Sequence, residues 1–354
     1  MKKALSDICY YVSDKIPVKQ VRLDDYVSTE NLLQNRGGLS VASKLPPSGK
    51  VTAFQAGDAL VSNIRPYFKK IWLADRSGGA SNDVLVFRKL NDNICEKYLY
   101  YILADDRFFA FSTASASGSK MPRGDKSQIM NYPVKLPPLE VQKKITDILS
   151  SLDEKIDLNR RMNETLEQLG QALFRHYFVD KTKQSNGNIQ TIPLGRKFHL
   201  KRGRSLQARD MICGDTPVIS GGLKPAGFHN EANTTAPVIT ISASGANAGF
   251  VSVWGEPVWS ADSSYIDSTI TKYVYIYYLF LKNKQKEIYD MQTGSGQPHI
   301  YPKHIELLEI ADLSDCKFNG FEQRVRPLFD MIHENKKQID YLSNIRDLLL
   351  PKLV

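Results

Sequence analysis

Two stretches of the chain carry the same helical stripe. From Val141 onward, apolar residues stand at Ile145, Ile148, Leu149, Leu152, Ile156, Leu166, Leu169 and Leu173, a pattern that predicts a long amphipathic helix with a heptad seam. With Ile145 as the first seam position, the heptad series is Ile145, Leu152, Asn159, Leu166, Leu173. A shift of 176 residues gives Phe321, Leu328, Asn335, Leu342, Leu349, with asparagine again third of five. A seam asparagine weakens a coiled coil but fixes its register. Antiparallel pairing of the two helices would bring Asn159 and Asn335 near one another; the alternative is that each helix packs only on its own domain. Pro138 and Glu140 suit the first turn of the central helix. A capping box from Asn319 to Glu322 would start the second, and Pro327 should kink or restart it. A helix from Val141 to Phe178 is roughly 57 Å long at ~1.5 Å per residue, long enough to act as a spacer.

The same shift relates the segments before the helices. It aligns Ile16 with Ile192, and Gly118, Ser119, Pro122 and Ile129 with Gly294, Ser295, Pro298 and Ile305. Weaker echoes need slightly different shifts: "KYLYYIL" from Lys97 with "KYVYIYYL" from Lys272, and "SND" at Ser81 with "SAD" at Ser260. The chain therefore reads as a duplication. Each half has strand-like segments ("DALVSNI" and "DVLVF"; "APVITISAS"), punctuated by Gly, Pro, Asn and Ser, and then a tyrosine-rich helix. Those tyrosines could stack on bases or fill a core. The expected fold is α+β: two mixed α/β domains separated by two long helices that form an antiparallel intramolecular coiled coil with pseudo-two-fold symmetry. Expected boundaries are 1–139, 140–184 (central helix), 185–318 and 319–354 (C-terminal helix).

The 354 residues, 42% hydrophobic and 24% charged, suit a soluble protein with two cores. No apolar run approaches the ~20 residues of a membrane span, and no signal core is present, so a cytoplasmic location is expected. Cys9, Cys95, Cys213 and Cys316 form no CxxC pair and read as reduced, structural thiols. The net charge of +9 is uneven: residues 1–139 hold 20 Lys and Arg against 13 Asp and Glu, a surplus of seven. "GRKFHLKRGRSLQARD" adds six basic residues between Arg196 and Arg209. A basic surface steers polyanions, although such a run can also be a solvated face.

Motifs of catalysis are missing. "GSKMPRGDKS" has Asp125 where a phosphate loop needs lysine, and "TGSGQPH" lacks the third glycine of a dinucleotide loop. His299 and His304 lack zinc-ligand spacing. No nucleophile elbow, adenine-methyltransferase motif or nuclease motif stands in the chain. Duplicated domains without chemistry suggest recognition.

"LPPLEVQKKITDILSSLDEKIDLNRRMNETLEQLGQALFRHYFV" closely resembles the central conserved region of specificity (S) subunits of type I restriction-modification enzymes, and "NIRDLLLPKLV" their C-terminal conserved region. "IPLG" at Ile192, "GSGQPHI" at Gly294 and "GDALVSNIRPY" at Gly57 resemble landmarks of their target recognition domains. The resemblance spans essentially the whole chain and includes domain order. It departs in having "LSDCKFNGFEQ" where a second "PPLE" is expected, and in stopping at Val354 without the Ser-Gly tail of many relatives. It implies a non-catalytic subunit whose two domains read a bipartite sequence in double-stranded DNA. The helices would set the gap and dock two methyltransferase (M) subunits, and restriction (R) subunits would join through them. No cofactor is expected in this chain: S-adenosylmethionine belongs to M, ATP and Mg to R. A modification-only or type IIB-like complex, a coiled-coil scaffold and a solitary methyltransferase are the other classes, the last lacking its cofactor motif.

Base edges are read by Arg, Lys, Asn and Gln on loops, while phosphate contacts hold the register. The candidates are Arg65, Lys69, Lys120 and Arg123 in the first domain and Arg202, Arg204, Asn247 and Gln297 in the second. Each could equally be a solvated loop residue.

Overall fold

The computed structural model describes residues 3–180, 190–294, 296–312 and 315–354. The side chain of Cys316, Ser295 of the repeat and the boundary expected at 184/185 fall outside them. Two compact units are present: Met1–Asp157 with Asp340–Val354, and Leu158–Ile339. The divisions fall inside both long helices, so each helix contributes one part to each unit instead of forming a separate domain.

In the first unit, one antiparallel sheet runs in the order Cys9–Tyr11, Val84–Lys89, Ala59–Ser62, Ile71–Leu73. A second sheet joins Lys15–Pro17, Lys50–Phe54, Gly78–Ala80 and Tyr26–Val27, the last pair parallel. Val84–Lys89 shows why the strand is buried on both faces. Leu85 and Phe87 enter a core with Tyr98, Ile102 and Phe108, from helices Glu96–Ala104 and Asp106–Ala114, whereas Val84 and Val86 enter a separate core with Val27, Leu32 and Phe54. Alternate side chains of a strand point to opposite faces, so one segment serves two cores.

The second unit repeats the plan. Its main sheet is ordered Lys201–Arg202, Ser263–Asp267, Val238–Ser242, Val251–Trp254, all antiparallel. A smaller sheet holds Gly227–His229, Thr216–Ile219 and Trp259–Ser260 and again includes one parallel pair. Each unit also has a small ladder, Lys3–Ala4 with Pro133–Val134 and Thr191–Pro193 with Glu309–Ala311. The second tyrosine-rich segment forms Val274–Asn283, whose eight residues from Val274 to Leu281 are all buried. There the aromatic rings are core.

The central long helix spans Leu139–Phe174 and runs on through a π-helical turn, Arg175–Asp180. The C-terminal long helix spans Asp315–Leu353. It starts before the expected capping box, so Asn319 lies within the helix, and the Glu322 carboxylate instead accepts from the Tyr275 and Ile276 N–H groups at 3.3 and 3.0 Å. Those donors belong to the start of Val274–Asn283, where a helix leaves N–H groups unpaired. Nor does Pro327 restart the helix. It lies on the exposed side, where the Gln323 carbonyl that it leaves unpaired can be hydrated.

Within each unit the helices run antiparallel. In the first, Ile145, Leu149 and Leu350 share the core and Arg346 reaches Asp153 at 2.9 Å. In the second, Asn159 Nδ2 donates to Gln338 Oε1 at 3.2 Å, Asn335 Nδ2 donates to Asn163 Oδ1 at 2.9 Å, and Arg324 bonds Tyr177. The two seam asparagines thus bond neighbouring residues rather than each other: the alignment of the helices is a few residues from the one that would place them opposite. Ile145, Asn159, Asn335 and Phe321 are buried, and Leu152, Leu166, Leu173, Leu328, Leu342 and Leu349 are half-buried. The companion seam position lies four residues on (Leu149, Ile156, Gly170; Val325, Ile332, Arg346), while Ile148 and Leu169, three residues on, are exposed.

Candidate nucleic-acid interface

Both units frame the same pair of loops. In the first, strand Ala59–Ser62 ends at Asn63, whose N–H donates to the Asp83 carbonyl at 2.9 Å and whose carbonyl accepts from Gly124 N–H at 3.2 Å. Arg65 N–H then donates to the Pro122 carbonyl at 2.8 Å, and residues Ser117 and Arg123 close a hairpin beside it. In the second, strand Val238–Ser242 ends at Ala243, whose N–H donates to the Asp262 carbonyl at 3.1 Å and whose carbonyl accepts from Ile300 N–H at 2.9 Å. Gly245 N–H donates to the Pro298 carbonyl at 3.0 Å, and Thr293 and His299 close the hairpin. Gly294 turns that hairpin at φ 96°, and a Cβ there would meet the Gln297 carbonyl oxygen at 2.6 Å, so only glycine fits.

The first frame gathers Arg65, Lys120 and Arg123. Arg65 donates from its guanidinium to the Lys120 carbonyl at 3.2 Å and is half-buried, while Lys120 is exposed. Arg123 is ion-paired with Asp83 at 3.0 Å, yet its side chain is 58% exposed, which leaves part of its donor fork facing outward. Lys69 is different: its ammonium is bound to Asp106 at 2.8 Å. Burial favours the neutral Asp106 carboxyl, but the bonds from Lys69 and Arg36 outweigh it and hold that group below the usual carboxylate range. Lys69 is therefore an anchor within the unit.

In the second frame Arg202 donates to Asp262 at 2.9 Å, and the Ser244 hydroxyl donates to the same carboxylate. Asn247 lies in the adjoining turn, its amide 3.4 Å from the Gly221 carbonyl. Gln297 is exposed on the hairpin. Arg204 is exposed to one side, its guanidinium 6.0 Å from the Trp259 ring centre. Surface ion pairs of this kind are weak, about 0–1 kcal/mol, so a phosphate or a guanine edge can compete for Arg123 or Arg202. The acids that orient them, Asp83 and Asp262, were not among the sequence candidates. The signal for them was the "SND"/"SAD" echo.

Among the described residues, no group of three or more His, Cys, Asp or Glu could hold a metal, and no helix is long and apolar enough to cross a membrane. Cys9 is buried, which pushes its thiol up to about 12. Such a thiol is inert.

The family model for the type I restriction modification DNA specificity domain matches residues 1–168. That match, to the DNA specificity domain of type I restriction-modification systems, spans just under half of the chain. It is 24% identical over 371 aligned positions to the specificity subunit of the type I restriction enzyme MjaIX of Methanocaldococcus jannaschii, a match covering 93% of this chain and 84% of the relative. It is 29% identical over 223 positions to the HindI specificity subunit of Haemophilus influenzae, covering 60% of this chain and 47% of that protein. The chain thus spans about half the length of the HindI relative. The crystal structure of a type I restriction-modification S subunit from M. genitalium aligns over 100% of this chain and 95% of that one, with a TM-score of 0.58 at 20% identity. That likeness concerns the fold.

Proposed function

We propose that this chain is the DNA-reading, non-catalytic subunit of a type I restriction-modification system, with one half of a split target read by each unit. The observation that carries this reading is the duplicated frame: Arg65 on Pro122 and Gly245 on Pro298, each beside an acid-oriented arginine, on two copies of one fold. A scaffold of paired helices has no use for two such frames. In this reading the long helices set the gap and dock two M subunits, through which R subunits join. S-adenosylmethionine then belongs to M, and ATP and Mg to R.

The test is to co-express the chain with its M subunit and map methylated adenines in cells with and without it. Methylation confined to a two-part motif, and lost when this chain is absent, is the expected result. A motif with one continuous part would remove the division of labour, and no change in methylation would remove the function. Purification with or without R separates the full system from a modification-only or type IIB-like assembly. Arg123→Ala should cost ~1–3 kcal/mol on the cognate target. Equal weakening on unrelated DNA would make Arg123 a phosphate contact.

A further inference from the structure

Among the described residues, four that are not glycine have left-handed backbone: Asn35 at φ 54°, Arg36 at φ 58°, Arg65 at φ 50° and Lys69 at φ 50°. They occupy two facing segments. Asn35 N–H donates to the Phe68 carbonyl and Arg36 N–H to the Lys69 carbonyl, both at 2.9 Å. Arginine and lysine seldom adopt this conformation, and it persists only where the surroundings over-determine it. In the second unit the corresponding turn uses Gly245, at φ 81°, and needs no such hold.

The hold in the first unit is the Arg36 side chain, which is only 4% exposed. Its Nε donates to the Ala104 carbonyl at 2.6 Å, one terminal nitrogen bonds Asp106, and the other lies 3.6 Å from Asp347. Asp106 also takes the Lys69 ammonium, so a single carboxylate ties the ends of the two left-handed segments, Arg36 and Lys69, together. Asp347 is on the C-terminal helix and is bonded in turn by Arg346, at 2.9 Å. Arg346 holds Asp153 on the central helix. The groups form one unbroken series from the candidate reading turn to both long helices.

We infer that Arg36 is a positioning residue for DNA specificity: it clasps the Arg65–Lys69 turn in its left-handed form and fixes it to the helix pair, so that the half-target read by the first unit depends on it. The inference rests on the proposed reading of DNA. Arg36 itself faces inward and touches no base. A planar fork that reaches two carboxylates and a carbonyl is a geometry lysine cannot reproduce.

Arg36→Gly tests this directly, because glycine keeps the positive φ and removes only the fork. In the complex with M, discrimination against single-base changes in the first unit's half-target should fall roughly 10-fold, while the other half-target keeps its selectivity. Hydrogen exchange of the DNA-free complex should rise at residues 35–36 and 65–69. Unchanged selectivity and unchanged exchange in a folded Arg36→Gly complex would overturn the clasp. Should that variant fail to assemble, Asp106→Asn weakens both ties at once, and the same loss is expected there; full selectivity in Asp106→Asn overturns the inference. If the wild-type complex shows no half-target preference, the reading of DNA fails by itself, and the exchange measurement still decides whether Arg36 holds the turn.

Discussion

The two units place opposite chemistry at one repeated position between the long helices. In the first, Arg346 is buried against Asp153, and the Tyr101 hydroxyl donates to the same carboxylate at 2.8 Å. Moving by the repeat shift turns Asp153 into Phe329 and Arg346 into Gly170. In the second unit, Phe329 stacks on Tyr275 with ring centres 4.6 Å apart and planes 4° from parallel, and Gly170 leaves room for Leu279 and Phe329. One duplicated scaffold thus seals its helix pair ionically at one place and apolarly at the other. A dry aromatic contact contributes by area and shape. A buried ion pair adds little net stability over a well-packed apolar pair, but it is costly to break on one side.

The largest effect should come from Phe329→Ala, which removes a side chain only 1% exposed from the core of the second unit. A loss of about 4 kcal/mol is expected in denaturant unfolding. A loss below ~1 kcal/mol would mean the site collapses freely and the apolar seal is not tight. Next is Arg346→Leu, expected to cost about 3 kcal/mol because it leaves the Asp153 carboxylate without its counter-charge, held by the Tyr101 hydroxyl alone. Replacing Arg346 and Asp153 together by methionine and leucine, in a Tyr101→Phe background so that no buried hydroxyl loses its acceptor, should recover most of that. If the double variant is no more stable than the single one, the ion pair is a net stabiliser and the contrast between units is wrong.

A smaller difference separates the two N-terminal clamps. Gln142 accepts from Cys95 N–H at 2.9 Å and donates to the Asn93 and Pro137 carbonyls, so the first unit's clamp is neutral at every pH. Glu322 does the equivalent work in the second, and burial raises its carboxyl to about 6 in spite of two backbone N–H bonds and Arg326. The native state then holds the Glu322 proton more tightly than the unfolded chain does. Its contribution is present below pH 4.5 and is lost as pH rises through 6, by about 2 kcal/mol. His333 acts oppositely: burial first, then Lys336 and Lys337, lower it to about 4, so its contribution is present above 6.5 and is lost as pH falls through 4. Between pH 4.5 and 6 the two oppose each other. Glu322→Gln should make stability climb more steeply with pH over that window, and an unchanged slope would show that Glu322 does not titrate there.

The duplication and the helix pair were legible in the sequence because a repeat preserves spacing even where residue types drift. The seam was only half legible. Ile148 and Leu149 are adjacent and both apolar, and Leu169 is more apolar than Gly170, yet Leu149 and Gly170 face inward. Heptad spacing alone cannot choose between neighbours three and four residues on; the side that a domain covers makes that choice. Arg36 was missed for a related reason. Its role depends on backbone conformation and on carboxylates 70 and 311 residues away, at Asp106 and Asp347, and neither leaves a local trace. Lys69, by contrast, had the composition expected of a reader and turned out to be tied to Asp106.

The smallest expected effect concerns the seam asparagines, where the repeat is again unequal. Asn335 donates to Asn163, whereas Asn159, fully buried, donates to Gln338 and leaves its own carbonyl oxygen buried without a partner. A buried polar atom left unpaired costs about 1–3 kcal/mol, and its loss offsets that of one neutral hydrogen bond worth ~1 kcal/mol. Asn159→Leu should therefore leave stability unchanged or raise it by up to ~1 kcal/mol, while Asn335→Leu, which breaks a paired contact, should lower it slightly. What Asn159 supplies is then register, since a leucine seam tolerates sliding that a polar residue forbids. On the function proposed above, M in complex with an Asn159→Leu chain should methylate targets with the wild-type gap and also targets with a gap altered by a base pair. Strict retention of one gap, together with a clear loss of stability, would make Asn159 a structural bond and leave the gap to the domains.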